Sequence, residues 1–393
     1  MLTDPHYYPS ASRRMVTFGK RGMVATSQSL AAQVGIDMLR KGGNAIDAAI
    51  ATAAALTVVE PTSNGIGSDA FALVWVKGEL HGLNASGPAP KSISCDAVKA
   101  LGHDEMPAHG LVPVTVPGAP GAWAALSERF GKLPFEQLLA PAIELAEKGF
   151  AVSPVASQLW RSAEKRYGQY ETAEFKPWFS HFTPNGQAPK AGDVWRSPDM
   201  AKTLSEIASS KADAFYQGNL ADAMDVFSRE HGGFLRKEDL AAYQPEWVDP
   251  ISVRYKGHDI WEIPPNGSGL IVLQALGILE SLGDESKDQE ETLHRRIEAT
   301  KLGYIDGLHY ITERSAMKPS VKQMLSSNYL SQRANLIGQE AIDPIHGNPV
   351  KGGTVYLATA DDEGNMVSFI QSNFEGFGSG IVVPGTGISL QNR

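Results

Sequence analysis

The sequence predicts an α+β fold in which helices layer against antiparallel sheet. Three observations predict it. Two helix patterns follow one another between Gln28 and Val59, a hairpin pattern comes directly after them between Phe71 and Ala85, and a second hairpin begins at Thr354 near the other end of the chain. With 393 residues and 42% hydrophobic content the chain can bury a large core, as one big domain or two smaller ones.

The first helix is read from Leu30, Val34, Ile36 and Leu39, which recur at helical spacing, and Gly42-Gly43 stop it. Asn44 caps the second helix. Asp47 sits at its third position, where a carboxylate meets free N–H groups and the positive end of the helix dipole. The stretch Ala45 to Val59 is alanine-rich, contains Asp47 and falls short of the roughly 20 apolar residues a membrane span needs, so it reads as a buried core helix. After the polar glycine turn Ser63 to Ser68, Phe71 to Val76 reads as a buried strand, and Lys77-Gly78-Glu79 turns it into another, Leu80 to Ala85. The middle, about Thr115 to Ser228, is helical in pattern, with an amphipathic run from Leu138 to Lys148. Helix signals return at Leu270 to Leu282 and Leu293 to Tyr310, and no fixed-period repeat is present.

A net charge of −9 with both signs interspersed argues against a surface that tracks phosphates, which excludes a nucleic-acid role. The single cysteine, Cys95, excludes an internal disulfide framework and a cysteine-rich metal site, and it fits a reducing compartment. The start, Met1 to His6, has an acidic residue and a proline where a secretory peptide has a basic end and an apolar stretch, so the expected location is cytoplasmic. The ten histidines lack close zinc-ligand spacing, Asp361-Asp362-Glu363 reads as a solvated turn rather than a calcium site, and His294 to Arg296 reads as helix surface or an ion-pair network. The expectation is therefore no metal, no organic cofactor and no membrane partner.

In the closing hairpin, Thr354 to Thr359 alternates like a strand, Asp361 to Asn365 reverses the chain, and Met366 to Ser372 returns. Gly352-Gly353-Thr354 taken alone is a turn before a strand. It also has a chemical reading. A threonine hydroxyl needs a base beside it to attack a carbonyl, and the threonine's own α-amine supplies one once the preceding peptide bond is broken. The reference pKa of such an amine, near 8, suits the task. Cleavage can use the same hydroxyl against the Gly353 carbonyl, and a glycine there admits the strained geometry. Ser372, on the return strand, is the candidate partner hydroxyl; the plain alternative is a serine that caps a strand end.

Five ordered stretches, Lys41 to Ala49, Val116 to Gly121, Phe215 to Gly218, Pro264 to Gly269 and Leu293 to Ala299, together resemble the gamma-glutamyltransferase (glutathione hydrolase) family. That family groups self-cleaving N-terminal-nucleophile enzymes and also contains oxamate amidohydrolase and cephalosporin-acylase-like members. The resemblance covers nearly the whole chain. It implies a four-layer αββα sandwich, a cut between Gly353 and Thr354, Thr354 as nucleophile, and Ser372 as the supporting hydroxyl in place of the usual threonine. It also implies a small-molecule amide substrate and a heterodimer of the chain's own two fragments, with 1–353 as the large one and 354–393 as the start of the small catalytic one.

Departures from the family pattern set expectations of their own. Where the transferases carry a carboxylate-binding arginine, this chain has Asn84, which donates hydrogen bonds without the charged fork. Val355-Tyr356 replace a hydroxyl residue and a histidine after the nucleophile, and the amine-binding asparagine aligns with Phe374, one place after Asn373. Asn84 and Asn373 are thus the candidate substrate-binding residues, and the pattern leans toward the amidohydrolase or acylase-like branch. The chain ends at Arg393, forty residues into the expected catalytic fragment, so the sequence reads as truncated, its C-terminal part missing. A catalytically silent scaffold is the alternative of another class.

Overall fold

The structure, a computed structural model, describes residues 17–283, 288–342 and 353–392, with only the backbone of residues 353 and 354. Its centre is a six-stranded antiparallel sheet. Strands β1 (Gly22–Thr26), β2 (Asp69–Val76), β3 (Glu79–Ala85) and β4 (Glu246–Val248) come from the long upstream part of the chain. A short hairpin, β5 (Ile251–Tyr255) and β6 (His258–Glu262), lies outside the main sheet, and β7 (Gly353–Asp361) and β8 (Met366–Phe374) close the series. The spatial order is β1-β7-β8-β2-β3-β4, so the late hairpin is inserted between strands made more than 270 residues earlier.

Two helices, α1 (Ser29–Arg40) and α2 (Ala45–Val59), cover one face of this sheet. Every residue of α2 is buried, including Asp47, Thr52 and Thr57. Alanines at Ala48, Ala49, Ala51, Ala53, Ala54 and Ala55 let neighbouring backbones come close on all sides. Asn44 and Asp47 form the reciprocal capping box: Asn44 Oδ1 accepts from Asp47 N at 2.9 Å and Asp47 Oδ2 accepts from Asn44 N at 2.9 Å. The Asp47 carboxylate also accepts from Lys132 N and Leu133 N, tying α2 to the loop at 131–134. Burial raises this carboxyl above its ordinary value, opposed by the backbone N–H groups of Asn44, Lys132 and Leu133.

The helical middle contains α3 (Cys95–Ala100), α4 (Ala119–Phe130), α5 (Phe135–Lys148), α6 (Pro154–Tyr167), α7 (Pro198–Ser210) and α8 (Asn219–Glu230). A two-residue strand pair, Phe150–Ala151 with Val194–Trp195, interrupts it. Then α9 (Gly269–Ser281) and α10 (Gln289–Tyr310) pack on one another, and α9 covers the β5–β6 hairpin. The helix pairs and both hairpins lie where the sequence places them, with α5 and α10 starting a few residues early. Strands β1, β4, β5 and β6 were not anticipated.

The sheet face turned away from α2 is apolar and largely uncovered. It presents Met23, Trp75, Tyr356, Met366 and Ile370, each between 39% and 52% exposed. The Asp361 turn does more than meet solvent: Asp361 Oδ2 accepts from Ala45 N at 2.9 Å, fixing the reversal of the late hairpin to the start of α2. Among the described residues no helix is long and apolar enough to cross a membrane.

Candidate active site

The site grows from the register of β7 and β8. Val355 pairs with Gln371 and Gly353 with Phe374, so two residues, Ser372 and Asn373, stand across the ladder from the one backbone position 354. Two against one is a β-bulge, a device that bends a strand and re-aims side chains. Its exit is strained, because Phe374 takes φ +77°, a left-handed conformation that costs a bulky residue about 1–3 kcal/mol. The Phe374 N–H donates to Ser372 Oγ at 2.7 Å, which helps to hold that turn.

Both bulge residues are buried. Asn373 Oδ1 accepts from Ser68 Oγ at 2.8 Å, Ser68 Oγ accepts from Gly65 N at 2.8 Å, and Asn373 N donates to the Ser63 carbonyl at 3.3 Å. The polar turn after α2 is therefore a clamp on the bulge. Asn373 Nδ2 has no hydrogen-bond partner among the described residues. One step back along β8, Gln371 lies in a buried chain: Trp123 Nε1 donates to its Oε1 at 3.0 Å, and its Nε2 donates to Asn64 Oδ1 at 2.8 Å. The bulge is thus braced by α2, α4 and the Ser63 to Ser68 turn together.

Asn84 belongs to another part of the sheet. On β3 it pairs with Phe71 and Glu246, three strand spacings from β7, or about 14 Å along the sheet. Its Oδ1 accepts from Ser86 N at 3.0 Å and its Nδ2 donates to Asn266 Oδ1 at 2.8 Å. The amide is pinned as a bridge between β3 and the Pro264 to Gly269 loop. It lines a cleft of about 680 Å³ with Phe71, Tyr243, Glu246, Asn266 and Arg314.

Two of these residues carried no signal in the sequence. Arg314, in the segment after α10, supplies a guanidinium to the cleft and pairs there with Glu246. Tyr243 has a buried phenol with no hydrogen-bond partner among the described residues, and burial holds its ionisation well above the ordinary range, so it stays a neutral donor. Both come together with Asn84 only through tertiary contact. Asn266 had a signal, since it lies in one of the quoted stretches.

The glycines of the Val116 to Gly121 stretch have a steric reason. A Cβ on Gly118 would stand 1.8 Å from the Ala85 carbonyl oxygen, and one on Gly87, which has φ +78°, would stand 1.7 Å from the Val116 oxygen. The end of β3 and the entry to α4 thus run backbone against backbone, forming one side of the cleft. His294 Nε2 donates to the Gly338 carbonyl at 2.9 Å and Arg295 pairs with Glu291, so that run is helix surface. Among the described residues no group of three His, Cys, Asp or Glu side chains is placed to hold a metal ion.

Comparison with known proteins places this geometry in context. The gamma-glutamyltranspeptidase family model matches residues 31–393. A glutathione hydrolase-like proenzyme of Bacillus subtilis is 34% identical over 381 residues, covering 95% of this chain and 71% of that protein. An oxamate amidohydrolase proenzyme of Klebsiella pneumoniae is 34% identical over 380 residues, covering 95% and 70%. The crystal structure of a cephalosporin acylase from Bacillus halodurans superposes with a TM-score of 0.93 at 57% identity, over 100% of this chain and 73% of that one.

Proposed function

The chain belongs to the gamma-glutamyltranspeptidase family, and from that premise we propose that it is a self-cleaving amidase whose nucleophile is the hydroxyl of Thr354. The single observation that carries the reading is the bulge that sets buried Ser372 and Asn373 across the ladder from position 354. The relatives named as proenzymes support a maturation step.

In that step Thr354 Oγ attacks the Gly353 carbonyl. An ester forms as the Gly353–Thr354 C–N bond breaks, and water then opens the ester to leave a Gly353 carboxylate, a free hydroxyl and a free α-amine. The same pair then works on substrate. The amine takes the hydroxyl proton as Oγ adds to the substrate amide carbon, the proton passes to the departing amine, and water releases the acyl group from the threonine ester. Ser372 Oγ orients the attacking hydroxyl, and the Asn373 Nδ2 donor is free to meet a carbonyl oxygen as it gains charge. Maturation yields a fragment that ends at Gly353 and one that begins at Thr354, which stay together.

Hydrolysis fits this cleft better than glutamyl transfer. Asn84 is neutral and its amide is already engaged, whereas Arg314, paired with Glu246 at the same cleft, is the cation that would receive a carboxylate at the far end of the acyl group. The similarity to a cephalosporin acylase supports the acylase-like branch. The lone cysteine suits a reducing compartment, and we place the enzyme in the cytoplasm.

The test is intact mass and a denaturing gel on purified chain. Wild type should split between Gly353 and Thr354, and Thr354→Ala should stay whole. Activity on a glutaryl anilide above that on a γ-glutamyl anilide is expected; the reverse order would reinstate the transferase reading. A wild-type chain that never cuts points to a silent scaffold.

A further inference from the structure

Beside the polar cleft lies a second one, of about 460 Å³, with a different character. One side is α3, fixed at its start by Ser94, whose Oγ accepts from Ala97 N at 3.1 Å. The other is the segment from 103 to 115. Its surface is mainly apolar: Pro90, Ile93, Val98, Met106, Val112 and Val114 line it, with Val98 and Val114 buried, while Lys99, His103, Asp104 and Glu105 line it too. The volume is in the range of small-molecule sites.

The two clefts are neighbours, because Ala89 and Thr115 line both. The shared wall is firm. Thr115 Oγ1 accepts from Gln391 Nε2 at 2.8 Å, and Gly87, two residues before Ala89, is locked against Val116. A molecule whose polar part lies by Asn84 and Arg314 meets apolar surroundings if it extends past Ala89 and Thr115.

We propose that the apolar cleft between α3 and residues 103–115 binds an alkyl or aryl substituent of the amide substrate, making this an enzyme for amides with a hydrophobic tail. The substrate class rests on the amidase reading above; the binding site itself does not. Burial of each methylene in such a cleft tightens binding by about fourfold until the space is filled.

Cys95 makes the test possible without catalysis. It is the single cysteine of the chain, is exposed, and lines this cleft, so its reaction with a maleimide reports occupancy. The probe is a series of n-alkanamides from acetamide to octanamide on the full chain. Protection of Cys95 should be negligible with acetamide and should then strengthen about fourfold per added methylene. Met106→Glu, an exposed position that can change without harm to the fold, should weaken octanamide protection at least tenfold while circular dichroism stays the same. Protection independent of chain length, or unchanged in Met106→Glu, overturns the proposal. Length-dependent protection in a chain that hydrolyses neither these amides nor a glutaryl anilide upholds the cleft and sinks the amidase reading; hydrolysis of short and long amides alike, with no protection, does the opposite.

Discussion

Three side chains set the expectations at the scale of single residues. Ser372→Ala removes the hydroxyl across from position 354 and should slow precursor cleavage by about 10²-fold, whereas Ser372→Thr should retain it, both followed by the rate at which the two fragments appear. Arg314→Ala should raise KM about tenfold for acyl donors with a terminal carboxylate while kcat holds, since it removes binding that ground and transition state share. Equal KM for charged and uncharged donors in both proteins would remove Arg314 from the site. The third is His181, which packs on Phe182 and Trp195, and whose imidazole burial pushes down to about 4. An unfolded histidine titrates near 6.5, so the unfolded chain takes the proton first. Stability is full above pH 6.5 and is lost as pH falls from about 6.5 to about 4, by up to about 3 kcal/mol. Urea unfolding at pH 7 and pH 4.5 should show a smaller loss in His181→Phe than in wild type. The sequence could nominate Ser372, because its distance from Thr354 lies within one hairpin. It could not reveal Arg314 or Tyr243, which meet Asn84 only after α9, α10 and β4 have packed.

Secondary elements were legible wherever the signal is local. The capping box of Asn44 and Asp47 spans four residues, and the Asp361 to Asn365 reversal five, so both announce themselves before any tertiary contact exists. By contrast β1 is a five-residue edge strand that pairs with residues more than 330 positions away, and nothing in its neighbourhood marks it. The bulge in β8 is hidden for the same reason, since register is a property of two strands. Asp47 shows how much a local signal can carry. Asp47→Ala would leave the N–H groups of Asn44, Lys132 and Leu133 buried without an acceptor and should cost about 2–4 kcal/mol, read as a lower urea midpoint with an unchanged slope. A loss below about 0.5 kcal/mol would mean that water replaces the carboxylate there.

On the scale of the whole molecule, the decisive fact is the strand order. The segment downstream of Gly353 supplies β7 and β8, and these lie between β1 on one side and β2 on the other, both from upstream. Five residue pairs join β1 to β7 and seven join β8 to β2. Buried contacts add to the ladders, with Thr359 Oγ1 donating to the Ala45 carbonyl at 2.7 Å and the Gln371 chain running into Trp123 and Asn64. Severing the first peptide bond of β7 therefore frees a chain end without freeing a piece. Like a keystone with arch on both flanks, the short polypeptide has no direction in which to leave while its neighbours stand, and a nicked molecule should keep its hydrodynamic size and its cooperative melt until denaturant pulls the arch apart.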